Sequence, residues 1–346
     1  MGEFNYKHII HVCSIKNHPI MELPSSLKEK YVDGLSSLLA EIGEHDSYLK
    51  MLSDVWCESI VGHPYASFQK NSDKVKKALS VQRIKLRFFR MSYSLLFDCY
   101  YLVETWDYNK IDRLNNLLRE KYCKLFLKKS HQTIHHFYTQ NIENNKIPEI
   151  LMEHRRQNLR FENSPMKRVL VIANISSGKS TLINALVGRN VCKSANQSCT
   201  DKLVYIFNKS QEDGYSLMKT DNKIKYYNTI AKDIFSQATH IALHFISTLC
   251  DQNICIIDTP GVNNCGTQKH GKVTIEAIKG NDYDILLYIA NGKYYGTNDE
   301  KTLLDLIMKS CRKKMVFVLN QLDDFAPEED SIKNMLEDIP PVHFMV

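Results

Sequence analysis

The stretch ANISSGKST, residues 173–181, follows the apolar run Val169-Leu170-Val171-Ile172 and precedes a helical pattern from Leu182 to Val187. A strand, a loop of small residues and a helix that opens on Gly-Lys-Ser form the setting of a phosphate-binding P-loop. In that setting the backbone N–H groups of Ser176, Ser177, Gly178, Lys179, Ser180 and Thr181 converge on phosphate, helped by the positive end of the helix. The Lys179 ammonium reaches the β- and γ-phosphates, and the Ser180 hydroxyl is a ligand for Mg²⁺. Ala173 stands where this motif usually has its first glycine. A methyl is tolerable there because the residue ends the strand.

Two further motifs follow in order. DTPG, Asp258 to Gly261, comes after the run Ile254-Cys255-Ile256-Ile257. A carboxylate at that strand end suits Mg²⁺, and the Gly261 N–H suits a γ-phosphate, with a glycine able to move when the phosphate leaves. Taken alone, Asp-Thr-Pro-Gly is also good chemistry for an ordinary strand-to-turn junction. NQLD, Asn320 to Asp323, follows Met315 to Leu319. A carboxylate at Asp323 accepts hydrogen bonds from guanine N1–H and N2–H₂, a pair that adenine does not offer, so it selects the base. Gln321 holds the place usually taken by a lysine along the base plane. Between the first two motifs lies NQSCTDK, Asn196 to Lys202, where Thr200 is the candidate to bring a hydroxyl to Mg²⁺. The local sequence fits a plain surface loop equally well.

Around these motifs, short β-branched runs (RVLVIA, KLVYIF, NICIID, DILLYIA, KMVFVLN) alternate with helical segments from Lys167 onward. That alternation predicts an α/β domain with a mostly parallel sheet of about six strands. The first half reads differently. Leu27, Tyr31, Leu35, Leu38, Leu39 and Ile42 step by three or four and form one apolar stripe, with Ser25 or Ser26 as its cap. Further helices are expected over about 46–61, 73–104, 108–122, 124–142 and 149–159, packed as an antiparallel bundle. The polar run NIENNK, residues 141–146, is the linker candidate, so the division expected is 1–160 helical and 161–346 α/β.

Composition agrees with two globular domains. The chain has 346 residues, 43% hydrophobic and 24% charged. Its 45 basic and 39 acidic residues are well mixed, which gives no argument for nucleic-acid binding. Ten cysteines form no CxxC pair, which excludes a zinc-ribbon reading and suggests a reducing, cytoplasmic setting. No uncharged apolar run reaches the roughly 18 residues of a membrane span. His131 and His135 stand four apart, but no third ligand is evident, and a solvated helix face explains them. The aromatic-rich stretch Phe88 to Tyr101 reads as bundle core.

Together these residues resemble the dynamin superfamily of GTPases, particularly the bacterial dynamin-like proteins. SSGKSTLINALVG, Ser176 to Gly188, is similar to that family's P-loop and following helix; Cys199-Thr200 resembles its switch threonine; DTPG matches its third motif, and NQLD approximates its base-selecting one. Tyr288 to Glu300, YIANGKYYGTNDE, resembles the segment after its fourth core strand. The resemblance implies GTP hydrolysis with Mg²⁺, Ser176 stabilising charge and Thr200 ordering the attacking water. It also implies GTP and GDP as ligands, a G-domain dimer, and peripheral contact with a membrane or a protein partner. Eukaryotic dynamins carry a glutamine where this chain has Ile175, which favours a rival reading as a nucleotide-dependent switch with little turnover. Val342 to Val346 reads as the start of a sixth strand, so the G domain is expected to be truncated at its C-terminal end, with a partner or separate polypeptide completing it.

Overall fold

The computed structural model describes residues 18–43, 45–63, 65, 68–81, 91–106, 110–122, 149–174, 176–192, 202–212, 216–219, 224–227, 238–261, 268–292, 297–321 and 343–345. The chain divides into two compact units, Met1–Arg160 and Phe161–Val346.

In the first unit, a 3₁₀ turn (Pro19–Glu22) precedes α1 (Ser25–Gly43), α2 (Ser47–Val61), α3 (Ser72–Leu79), α4 (Met91–Trp106) and α5 (Lys110–Leu117); α6 (Glu149–Asn163) begins in it and ends three residues into the second. The expected helix over 73–104 is not continuous. Its first part stops at Leu79, where the Ser80 N–H closes on the Lys76 carbonyl, and Val81 is already outside the helix. Ser25 and Ser26 are helical residues rather than caps; the N–H groups of Leu27 and Lys28 bond the Pro24 carbonyl. Asp46 does cap α2, accepting from the Leu49 N–H at 3.0 Å. The linker candidate 141–146 and the histidines at 131 and 135 lie outside the described residues.

Helix α1 packs on α2, α3 and α4. Every residue from Gly34 to Ile42 is therefore buried, a wider burial than the single stripe read from the sequence. The buried carboxylates Asp98 and Glu41 of this unit are paired. Asp98 accepts from Tyr31 Oη, from Trp56 Nε1 at 3.3 Å and from His18 Nε2 at 3.1 Å. His18 Nδ1 in turn accepts the Ile20 N–H at 3.0 Å, which leaves Nε2 to face Asp98 as the donor. Glu41 accepts from Tyr122 Oη at 2.6 Å and from Lys121 Nζ at 2.8 Å.

The second unit holds β1 (Lys167–Ala173), α7 (Lys179–Val187), β2 (Val204–Asn208), β3 (Ser216–Lys219), β4 (Ile224–Tyr227), β5 (His240–Leu243), β6 (Ile254–Asp258), α8 (Gln268–Gly280), β7 (Ile285–Asn291), α9 (Asn298–Ser310), β8 (Lys314–Asn320) and β9 (His343–Met345). Among the described residues the sheet has nine strands in the order β4-β3-β5-β2-β6-β1-β7-β8-β9, against the about six expected. The additions β3, β4 and β5 are four residues each, too short for their alternation to stand out. From β6 to β9 all pairings are parallel; β2 runs antiparallel to β6, and β3 antiparallel to β4 and β5. Ile183 and Val187 of α7 pack on Val171, Ala173, Ile206, Ile256 and Ile289, which seats the helix on the middle of the sheet.

Parallel register brings chemistry to one edge. Val171 pairs with Asp258, Ala173 with Ile289, and Asn291 with Asn320. The carboxyl ends of β1, β6, β7 and β8 thus meet at one side of the sheet, where open α/β sheets bind ligands.

Candidate functional site

The phosphate-loop candidate turns at two left-handed residues. Ser176 (φ 61°) and Gly178 (φ 80°) are both left-handed. Gly178 needs no Cβ penalty there, and a Cβ would collide with Asn320 Nδ2. Ser176 is a strained choice, since a non-glycine in that region costs on the order of 1–2 kcal/mol and persists only where its surroundings hold it. Ser177, 1% exposed, turns its hydroxyl back to the Asn174 carbonyl at 2.7 Å. Gly178 is the N-cap of α7, so the next residues, Lys179, Ser180 and Thr181, open the helix with their N–H groups directed outward along its axis.

Lys179 Nζ donates to the Asp258 carboxylate and, at 2.6 Å, to the Thr259 carbonyl. Both side chains are largely buried, 12% and 6% exposed, so this ion pair sits in low dielectric. Thr259, fully buried, donates its hydroxyl to the Val171 carbonyl at 2.7 Å, and Thr274 of α8 donates to the Pro260 carbonyl at 3.2 Å. The Asp-Thr-Pro-Gly turn, with Gly261 at its end, is thereby fastened to β1 and α8. Cys192 Sγ lies 3.8 Å from the other Asp258 oxygen. Burial, then the Asp258 charge, pushes its thiol well up, which keeps it protonated and a donor. Asn184 of α7 holds this cysteine in place, accepting from the N–H groups of Val191 at 2.9 Å and Cys192 at 2.8 Å and donating to the Cys192 carbonyl at 2.9 Å.

The third motif reaches the same loop from β8. Asn320 Nδ2 donates to the Ser177 carbonyl at 2.9 Å, and Gln321 Nε2 to the Ser176 carbonyl at 3.2 Å. Gln321 is itself left-handed, φ 63°. Asn291, at the end of β7, donates to the Ser176 carbonyl at 3.0 Å and to Gln321 Oε1 at 2.6 Å. Of the residues expected at the site, Ser176, Ser177, Gly178, Lys179, Ser180, Thr181, Asp258, Gly261, Asn320 and Gln321 are described; Thr200 and Asp323 lie outside the described residues.

Sequence reasoning did not single out Asn184, Thr259, Thr274 or Asn291. Asn184 and Thr274 sit inside helical patterns, where a polar residue reads as surface. Thr259 was hidden inside its motif. Asn291 had a weak signal, an amide closing an apolar strand within the stretch already compared with the dynamins. Tyr288 and Glu300, the ends of that stretch, are joined by a hydrogen bond from Tyr288 Oη to Glu300 at 2.8 Å.

Residues 169–322 match the family model described as "Dynamin family". A bacterial dynamin-like protein of Nostoc punctiforme is 25% identical over 175 residues, covering 45% of this chain and 25% of the relative. Dynamin-like protein 2 of Campylobacter jejuni is 23% identical over 197 residues, covering 54% and 31%. The chain therefore spans about a quarter to a third of the length of these curated relatives. A solved structure, described as an oligomerised bacterial dynamin pair that senses and tethers membranes, is 15% identical with a TM-score of 0.39, covering 96% of this chain and 58% of that one. Among the described residues no helix is long and apolar enough to cross a membrane. With its three motifs drawn to one sheet edge and its sequence matched over the same span, the segment 169–322 is a dynamin-family domain.

Proposed function

We propose that this chain binds GTP and hydrolyses it to GDP and phosphate. The observation that carries the reading is the convergence on one loop of the Lys179 ammonium, the Asp258 carboxylate and the Asn320 amide, which come from three motifs far apart in sequence. Lys179 would exchange its bond to Asp258 for the β- and γ-phosphates, while the α7 N-terminus receives the remaining charge. Ser176 and Thr200 would position the attacking water and the charge that develops on the γ-phosphate. Asn320, Gln321 and Asp323 would hold guanine.

Magnesium fits the donor set. The Ser180 hydroxyl and the Asp258 carboxylate, with the Thr200 hydroxyl, are hard oxygen ligands of the kind Mg²⁺ takes. When bound, the ion would neutralise phosphate charge. The chain's own residues bind and orient the nucleotide.

A second reading, a nucleotide-dependent switch with little turnover, is favoured by Ile175 in place of the dynamin glutamine. In either case residues 1–160 would serve to engage a protein partner or membrane surface, and residues 161–346 would form the G domain, with a G-domain dimer as its assembled state. Fluorescent GTP titration with unlabelled GTP and ATP as competitors, followed by single-turnover hydrolysis, tests both. Competition by GTP but not ATP, with phosphate release, supports the GTPase. Binding without release supports the switch. Equal competition by ATP removes the guanine assignment.

A further inference from the structure

The Ser176 carbonyl accepts two amide hydrogens, one from Asn291 Nδ2 at 3.0 Å and one from Gln321 Nε2 at 3.2 Å. The Gln321 carbonyl oxygen then faces Asn291 and accepts its second hydrogen at 2.6 Å. These three groups form a closed ring in which the orientation of both amides is forced. A backbone carbonyl only accepts, so Asn291 and Gln321 must turn their nitrogens to Ser176, and the oxygen of Gln321 is left for Asn291. The ring joins two of the three left-handed non-glycine residues among the described ones, Ser176 and Gln321. Its hub, Asn291, is 4% exposed and sits at the end of β7, paired in register with Asn320. Left-handed non-glycine backbone needs its surroundings to hold it, and here both strained points are held from one rigid strand end.

We propose that Asn291 is a positioning residue that couples the base-side segment Asn320–Gln321 to the phosphate loop, so that the two halves of the nucleotide site are set in one geometry. A lysine at position 321 would supply three donors and could hold the Ser176 carbonyl by its own charge. Gln321 supplies two donors and an acceptor, and the acceptor is the place where Asn291 adds its hydrogen. Glutamine at 321 and asparagine at 291 thus act as a matched pair. This rests on the nucleotide reading above for what the loop binds, but the ring itself is read without nucleotide.

The test uses the full chain with three changes: Asn291→Asp, Gln321→Lys, and both together. Asn291→Asp places an acceptor against two acceptors, while the added lysine can donate to both the new carboxylate and the Ser176 carbonyl. Deuterium uptake over residues 174–181 reads the loop directly, and fluorescent GTP affinity reads its consequence. For Asn291→Asp we expect faster uptake in that peptide and GTP affinity weaker by roughly tenfold or more, the scale of one lost hydrogen bond with an exposed acceptor. The double change should restore both readouts to within about threefold of the parent, a recovery that a merely structural loss would not give. Parent-like uptake in Asn291→Asp, or a double change no better than that single one, overturns the coupling. A parent chain that binds no GTP overturns the nucleotide reading, while the uptake comparison still decides the ring.

Discussion

Asn320 and Ser177 lie 143 positions apart, yet the Asn320 amide nitrogen sits 2.9 Å from the Ser177 carbonyl oxygen, with Gly178 directly beneath it. The end of β8 thus closes over the phosphate loop, and the space it closes is only large enough for a residue without Cβ. Gly178→Ala is expected to weaken GTP binding more than tenfold, because it strains a left-handed residue by about 1–2 kcal/mol and displaces the Asn320 amide. Fluorescent GTP titration checks it. Unchanged affinity would mean that this contact does not shape the site.

The Lys179–Asp258 pair is buried on both sides. Lys179→Ala leaves the carboxylate without its cation, and breaking a buried pair from one side costs roughly 3–5 kcal/mol. We expect loss of GTP binding together with a lower urea midpoint for the second unit, and a native helical signal from the first. Adding Asp258→Asn should recover most of the midpoint but none of the binding. Separating stability from binding in this way needs only denaturation and titration of the same samples.

Gly34 lies where α1 meets α3, and a Cβ there would collide with Ala78 Cβ and stand 3.1 Å from Leu95 Cδ1. Alanine is the better helix former by about 1 kcal/mol, but overpacking a core typically costs about 1–3 kcal/mol. Gly34→Ala should therefore lower the melting temperature of the helical unit. A rise would show that α3 can shift away at little cost.

His240 stacks on Tyr205 with ring centroids 4.9 Å apart, and its Nδ1 lies 3.0 Å from Thr239 Oγ1. Burial, then the nearby Lys219 charge, lowers its pKa to about 4. An unfolded histidine titrates near 6.5. Between about 4 and 6.5 the unfolded chain therefore binds the extra proton, so this residue's contribution to stability is present at neutral pH and lost as pH falls through that window. The effect is softened because the ring is only half-buried. Replacing His240 with Phe should flatten the fall in urea midpoint between pH 7 and pH 5. An identical slope in the two proteins would assign the acid sensitivity to other groups.

Asp323 lies in the base-selecting motif. Asp323→Asn keeps an acceptor for the base N1–H but turns a donor toward position 2, where guanine has N2–H₂ and xanthine a carbonyl oxygen, so preference should move from guanine toward xanthine nucleotides. Competition titration with GTP and xanthosine triphosphate measures the shift. Loss of both affinities alike would argue that the residue holds the loop rather than the base.

The sequence by itself determined the α/β class of the second half, because strand and helix periods are local and ANISSGKST, DTPG and NQLD each carry their mechanism within a few residues. It also determined a helical first half, through the three-and-four spacing of Leu27 to Ile42. Only the tertiary structure decided the rest. The strands Ser216–Lys219, Ile224–Tyr227 and His240–Leu243 are too short to announce a period, and become strands because a neighbouring edge offers them partners. The helix that begins at Ser72 ends at Leu79 with no Gly or Pro beside it to announce the stop. Asn291 at the hub of the loop, Asn184 under Cys192 and Thr259 on the Val171 carbonyl are single polar side chains with no pattern around them. Each meets a partner that the fold brings from 8 to 115 positions away, and no local rule of sequence contains that distance.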